Sequence, residues 1–278
     1  MDYLPTLFRS LSALTYEQLE VILVDNGSTD GSLGACRAYA EDAPMVVSVV
    51  SEPIVGANYA RNRGLELCHT DWVYFFDSDD ELSPSFLEEV MPQVGDHDMV
   101  VFPTLQCLGE KCAPRSFVMS DSPASQILSS TLNTQGMLFR TSFLRRIGAW
   151  RKDLEVWQDW ELGVRTLLSR PRILWLEDKP FHLIHVHEEG ITGPSMSARL
   201  EARCHTLEVV AQEISDKADL RALYFRYCIL EGMLRREGNP KELCQLSSSF
   251  WVKCLGEALR SYVAWGGRGA WRIALLFC

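Results

Sequence analysis

The stretch Trp72-Val73-Tyr74-Phe75-Phe76-Asp77-Ser78-Asp79-Asp80 decides how the rest of the chain is read. Its apolar and aromatic run predicts a buried strand. The carboxylates that follow set three negative charges within four residues at the end of that strand. Such charges repel one another unless they are solvated or paired with a cation. Beside an apolar strand, a divalent metal is a natural partner. Hard oxygen ligands favour Mg2+ or Mn2+, which retain waters and accept diphosphate oxygens as further ligands. A solvated acidic turn ahead of a helix starting at Ser83-Pro84 accounts for the same residues without a metal.

Working upstream, Glu20 to Val24 reads as a buried strand that ends at Asp25-Asn26-Gly27-Ser28-Thr29-Asp30-Gly31-Ser32, a turn followed by a helix start. Leu4, Leu7, Phe8, Leu11 and Leu14 follow helical spacing ahead of it. A helix to about Glu41, a strand over Val46 to Val50 and a helix over Gly56 to Cys68 come next. Downstream, Met99 to Phe102 is a fourth strand. Strands alternating with helices imply an α/β fold with a doubly wound, mostly parallel sheet. Both acidic clusters then fall at the carboxyl ends of strands, where open α/β sheets bind ligands. Beyond Pro103 the rhythm changes. Residues 104 to 135 read as irregular, Asp159 to Ser169 as a helix and Ile173 to Leu176 as a short strand. From about Ser197 to Tyr262 the pattern is helical, with breaks near Asp216 and Asn239-Pro240.

The totals fit this reading. The 278 residues suit one large α/β domain, alone or with a helical extension, and 47% apolar against 23% charged residues supports a packed core. A net charge of -10 repels phosphate backbones, so nucleic acid is not an expected partner. A nucleotide remains compatible, because a cation can bridge carboxylates to phosphates. The nine cysteines are scattered, and no second pair joins Cys107 and Cys112 in a zinc pattern. They read as free thiols in a reducing cytoplasm. The first residues lack a signal-peptide pattern, and no apolar run approaches the roughly 18 residues a membrane span needs.

Taken together, Val24 to Asp30, the helix segment Ala60-Arg61-Asn62-Arg63-Gly64 and Asp77 to Asp80 resemble the family 2 glycosyltransferases of GT-A fold. In that family these three segments occur in this order and at similar spacing. The resemblance continues more weakly through Gly136 to Arg140, Ile147 to Trp150 and Gln158-Asp159-Trp160-Glu161 to about Thr192. It implies a glycosyltransferase domain over 1–194 and a helical extension over 195–278. It also implies a nucleotide-sugar donor, a glycan or lipid-linked acceptor and a metal cofactor. Asp25 and Asn26 would sit at the nucleobase, usually uracil, with Arg61 helping to hold it. Asp77 or Asp79 would meet the ribose and metal, and Asp79 or Asp80 would be the direct metal ligand. His187 matches a position near the metal or diphosphate. Asp159 matches the general base of inverting members, although Gln158 stands where the family often has Glu.

One departure is large. Family members begin with a strand like Val-Ser-Ile-Ile-Ile-Pro that lies inside the sheet, and here no such segment precedes the first helix. Val21 to Val24 should therefore lose a neighbour and expose unpaired backbone groups. A missing start is the expected explanation. Together with Gln158, the departure also fits a non-catalytic binding or scaffold protein built on the same fold, a reading opposed by the retained acidic triplet and Asp159. Trp157 and Trp160, flanking Asp159, read as a sugar-stacking wall or as core, with core favoured for one of them. At the other end, the aromatics and arginines from Tyr262 to Cys278 suit either a docked helix or peripheral contact with a membrane surface.

Overall fold

The computed structural model describes residues 2–186, 195–246 and 248–278. In chain order the elements are α1 (Leu4–Ser12), β1 (Glu20–Asp25), α2 (Ser32–Asp42), β2 (Val46–Ser51), α3 (Ala57–Leu67), β3 (Trp72–Tyr74), α4 (Phe86–Val90), β4 (Met99–Val101), β5 (Leu105–Leu108) and β6 (Lys111–Pro114). There follow α5 (Pro123–Ser129), β7 (Met137–Arg140), α6 (Thr141–Arg146), α7 (Gln158–Leu168), β8 (Ile173–Trp175), β9 (Leu183–His185), α8 (Leu200–Glu213), α9 (Lys217–Arg236), α10 (Phe250–Ala264) and α11 (Ala270–Leu275).

The chain divides into two compact units. The first holds the residues up to Arg115, Asn133–Asp153 and the segment from Pro171 through β9. Among the described residues its strands form three sheets. β1 and β2 pair in parallel, Glu20 opposite Val46 through Asp25 opposite Ser51. A four-stranded sheet has the order β3-β7-β4-β8. In it β7 runs antiparallel to both neighbours and β4 runs parallel to β8. The third sheet has the order β6-β5-β9. The core of this unit has two parts. Leu4, Leu7 and Leu11 on the inner face of α1 pack with Cys36 and Leu82, as their helical spacing requires. Phe86, Val90, Val100, Phe102, Leu138 and Phe181 form the other part.

Two expectations are corrected here. Residues 104 to 135 are not irregular: β5 and β6 form a hairpin, and α5 follows. Cys107 and Cys112 are not free thiols but a disulfide across that hairpin, at directly opposed positions. The turn between them carries Gly109 at a positive φ of 58°, a conformation glycine reaches without steric cost.

The second unit holds Ser116–Leu132, Leu154–Arg170 and the helices α8 to α11. Its core gathers Ile127 and Leu128 of α5, Trp160 and Val164 of α7, and the buried face of α9. The break near Asp216 is a helix start: its carboxylate caps α9 by accepting the Ala218 N–H at 2.7 Å. Close approach of α9 and α10 depends on Gly232, where a Cβ would lie 2.8 Å from the Arg260 carbonyl oxygen. Trp160 is core, its indole N–H donating to the Ile127 carbonyl at 3.1 Å. At the end of the chain, Ala270 and Ala274 of α11 are buried, while Trp265 and Leu276 are exposed. Among the described residues, no helix is long and apolar enough to cross a membrane.

Candidate donor site

The acidic turn hangs from the end of β3 and is held from several directions. Arg61, on the inner face of α3, donates from Nη2 to Asp77 Oδ1 at 2.9 Å. That face is fixed because the flanking asparagines bond to a neighbouring loop. Asn58 donates to the Arg151 carbonyl, and Asn62 exchanges hydrogen bonds with the Trp150 backbone. The Arg61 guanidinium also lies 5.8 Å from the Trp150 ring centroid, a favourable cation–π position.

From the other side comes a residue the sequence reading did not single out. Gln135, in the turn that leads into β7, donates from Nε2 to both Asp77 Oδ2 at 2.7 Å and Asp80 Oδ2 at 2.9 Å. Its own carbonyl accepts from the Tyr74 hydroxyl at 2.7 Å. The second oxygen of Asp80 accepts the His185 N–H at 2.8 Å. Both oxygens of Asp80 are therefore engaged, and the residue is only 2% exposed. Burial, with the charges of Asp79 and Asp77 nearby, pushes its carboxyl up to about 8 against the pull of these hydrogen bonds. Asp79 is half-buried. The next residue, Glu81, accepts through Oε1 from His185 Nε2 at 2.9 Å and pairs with Leu183 through the backbone.

At the end of β1, Asp25 is buried. Asn26 is a stitch rather than an open polar group: Nδ2 donates to the carbonyls of Glu52 and Ile54, and Oδ1 accepts the Gly56 N–H at 2.6 Å. Asp25, Asn26, Arg61 and Asp77 line one cavity of about 730 Å³. The structure thus brings these four expected residues together, with Asp79 and Asp80 on the adjoining turn.

Asp159 lies in the second unit, in the first turn of α7, where a carboxylate is favoured by the helix dipole. Its Oδ1 accepts the Trp160 N–H at 2.9 Å. In the same unit the Arg226 guanidinium stacks on Trp157 and Trp160, at 4.8 and 5.3 Å from their ring centroids. Burial lowers its pKa to about 10 despite the nearby charge of Asp159. Gln158 turns back to the Leu154 and Glu155 carbonyls. His187 lies outside the described residues.

Residues 1–120 match the family model described as Glycosyl transferase family 2. This part of the chain belongs to that family. The family 2 region overlaps the first unit and contains Asp25, Asn26, Arg61 and the acidic turn. The chain is similar to the uncharacterized glycosyltransferase YibD of Escherichia coli, at 33% identity over 52% of this chain and 40% of the relative. It is also similar to the poly(ribitol-phosphate) beta-N-acetylglucosaminyltransferase TarS of Staphylococcus aureus, at 22% identity over 93% of this chain and 47% of the relative. The chain spans less than half the length of these two curated relatives. Among solved structures, residues 1–349 of S. aureus TarS in complex with UDP-GlcNAc match with a TM-score of 0.68 at 18% identity, covering 99% of this chain and 87% of that one. A mannosyltransferase from Pyrobaculum calidifontis in complex with GDP-Man and Mn2+ matches with a TM-score of 0.59 at 18% identity, covering 99% and 82%. These likenesses establish a GT-A type α/β fold.

The acidic turn suits a hard divalent cation. Among the described residues no three His, Cys, Asp or Glu side chains form a ready-made metal cage. Mg2+ and Mn2+ need none when one or two carboxylates are completed by water and phosphate oxygens.

Proposed function

We propose that this chain is a glycosyltransferase that moves a sugar from a nucleoside diphosphate donor to a hydroxyl of a glycan or lipid-linked acceptor, with inversion at the anomeric carbon. The observation that carries this reading is the acidic turn bracketed by Arg61 and Gln135, beside a cavity that also holds Asp25. UDP is the favoured nucleotide, supported by the UDP-GlcNAc bound in the TarS structure. Asp25 recognises the base, and Arg61 keeps Asp77 oriented toward the ribose. Because both oxygens of Asp80 already have donors, Asp80 serves as the anchor of the turn. That leaves Asp79 as the better candidate for the direct ligand to Mg2+ or Mn2+, with His187 as a further ligand on the strength of the resemblance. When bound, the cation supplies positive charge to offset the negative charge on the departing diphosphate. Asp159 is the base that takes the proton from the acceptor hydroxyl. The exposed Trp265 and Leu276 suit an acceptor presented at a membrane surface.

Calorimetry with UDP, with and without Mn2+, tests the donor site. Binding should strengthen with Mn2+, and Asp79→Asn should remove the Mn2+ dependence. UDP binding that ignores Mn2+ in the unaltered chain would leave the non-catalytic reading in its place. In a transfer assay, Asp159→Asn should lower the rate by about 100-fold or more while UDP binding is unchanged. Near-normal transfer by that variant would remove Asp159 from the mechanism.

A further inference from the structure

Trp157 and Trp160 flank Asp159, and arginines already lie over their rings. The two indoles meet edge to face, with centroids 5.8 Å apart. The Arg226 guanidinium of α9 sits in the corner between them, 4.8 Å from the Trp157 centroid and 5.3 Å from that of Trp160. A second guanidinium, that of Arg203 on α8, lies 5.7 Å from the Trp157 centroid. The corner is firmly held. Trp160 is anchored by its bond to the Ile127 carbonyl. Trp157 caps α7 in the left-handed backbone region, with φ 55°, which a bulky residue adopts only where its surroundings enforce it.

Stacking on an indole engages the face of a guanidinium but not its N–H groups, which lie in its plane. Arg226 is half-buried, and among the described residues no hydrogen bond meets its guanidinium. Asp159 is close enough for its charge to be felt but makes no ion pair with it. Arg203 is only 1% exposed. Its Nη1 donates to the Met196 carbonyl at 2.8 Å, while its Nε is buried without a partner among the described residues. Arg199 adds further positive charge beside Arg203. Glu237 offsets part of it, but that carboxylate is already bonded to the Met196 and Ser197 N–H groups.

Guanidinium N–H groups withdrawn from water without an acceptor cost free energy. A partner with two oxygens in one plane recovers that cost best, and carboxylate and phosphate supply it in bidentate form. A neutral sugar offers single hydroxyl oxygens and would compete with the arginines for the indole faces. The chain carries a net charge of -10, so a local excess of arginine is not a general property of its surface.

We propose that Arg226 and Arg203, seated on Trp157, form an oxyanion subsite for the acceptor, which carries a phosphate or carboxylate near the hydroxyl delivered to Asp159. Its place as an acceptor subsite rests on the role given to Asp159 above; the oxyanion contact itself does not.

The test is NMR of the arginine Nε–H groups in the full chain, without donor or metal. Glycerol 3-phosphate, glucuronate, neutral glycerol and sodium chloride are titrated at matched ionic strength. Glycerol 3-phosphate or glucuronate should shift the Arg226 and Arg203 Nε–H signals saturably, and the tighter of the two identifies the group as phosphate or carboxylate. Glycerol and chloride should not. Arg226→Gln should weaken the binding about tenfold or more, the scale of a charge-assisted hydrogen bond. Arg226→Lys, which keeps the charge and loses the fork, should weaken it less, with Tm reporting that each variant is folded. Two results would overturn the proposal: no saturable shift with either oxyanion beyond that seen with chloride or glycerol, or unchanged affinity in folded Arg226→Gln. Either failure leaves the transferase reading standing, because that reading is tested by Mn2+-dependent UDP binding and by transfer in Asp159→Asn.

Discussion

Val21-Ile22-Leu23-Val24 and Met99-Val100-Val101 are nearly interchangeable as sequences, yet they meet different fates. β4 is paired on both sides and its three residues are at most 1% exposed. Among the described residues β1 pairs with β2 alone, and it stays half-buried from Val21 to Val24. A continuous apolar run of this kind is the signature of a strand covered on both faces and paired at both edges. β4 satisfies that description and β1 does not. The contrast shows that like composition does not fix burial; pairing does. It also shows that the acidic turn straddles the boundary, taking Arg61 from the open side and Gln135 and His185 from the closed side.

The sharpest way to break this contrast is to make the same substitution on each side. Val100→Ala should cost about 2–3 kcal/mol of unfolding free energy, since a fully buried side chain loses its packing. Val24→Ala should cost about 1 kcal/mol. Urea denaturation at matched m-values decides it, and equal costs would show that β1 is as enclosed as β4.

Next in size is the bracket on the acidic turn. Gln135→Leu removes the amide shared by Asp77 and Asp80. Outer partners of metal ligands typically contribute about tenfold or more in affinity, so Mn2+ binding in the presence of UDP should weaken about tenfold with Tm little changed. Isothermal titration reads this directly. Unchanged affinity would mean that the closed side does not hold the turn.

The smallest expected effect is pH dependence on the closed side. His182 is buried against Tyr74, Phe86 and Phe102. Its Nδ1 accepts the Ser83 N–H at 3.2 Å. Burial lowers its pKa from the ordinary 6.5 to about 3, so the neutral ring is the native form. Its contribution is fully present above pH 6.5 and is lost as pH falls from there toward 3, because the unfolded chain takes up a proton that the native one refuses. Between pH 6.5 and 5.5 this amounts to about 1 kcal/mol. His182→Phe should flatten that part of the stability curve, measured by denaturation at each pH.

Much of the first unit was legible in the chain itself. Helical spacing, short apolar runs and turn residues placed the elements from α1 to α3, and three clustered aspartates announced the turn. The Gln135 bracket was not legible, because its partners lie more than fifty residues away and an isolated glutamine carries no local pattern. The β5–β6 hairpin was missed because most of its residues are exposed and show no clean apolar alternation. The signal that could have found it was a glycine between two cysteines spaced for opposed strand positions. Helical periodicity marked α7 and the helices from α8 to α10, but it does not name partners. That α5 and α7 share a core with α9 follows from surfaces that only meet in the folded unit.

The stitch made by Asn26 has a chemical consequence of its own. Asn26 is followed by Gly27, and asparagine before glycine is the pair most prone to deamidation, because no side chain shields the attacking nitrogen. Here the side-chain amide is pinned by bonds to Glu52, Ile54 and Gly56, which restricts the rotation that ring closure needs. Once converted to aspartate, the residue would turn an acceptor toward two carbonyls and could no longer close the loop. The three hydrogen bonds that shape the mouth of the cavity therefore also slow its chemical ageing.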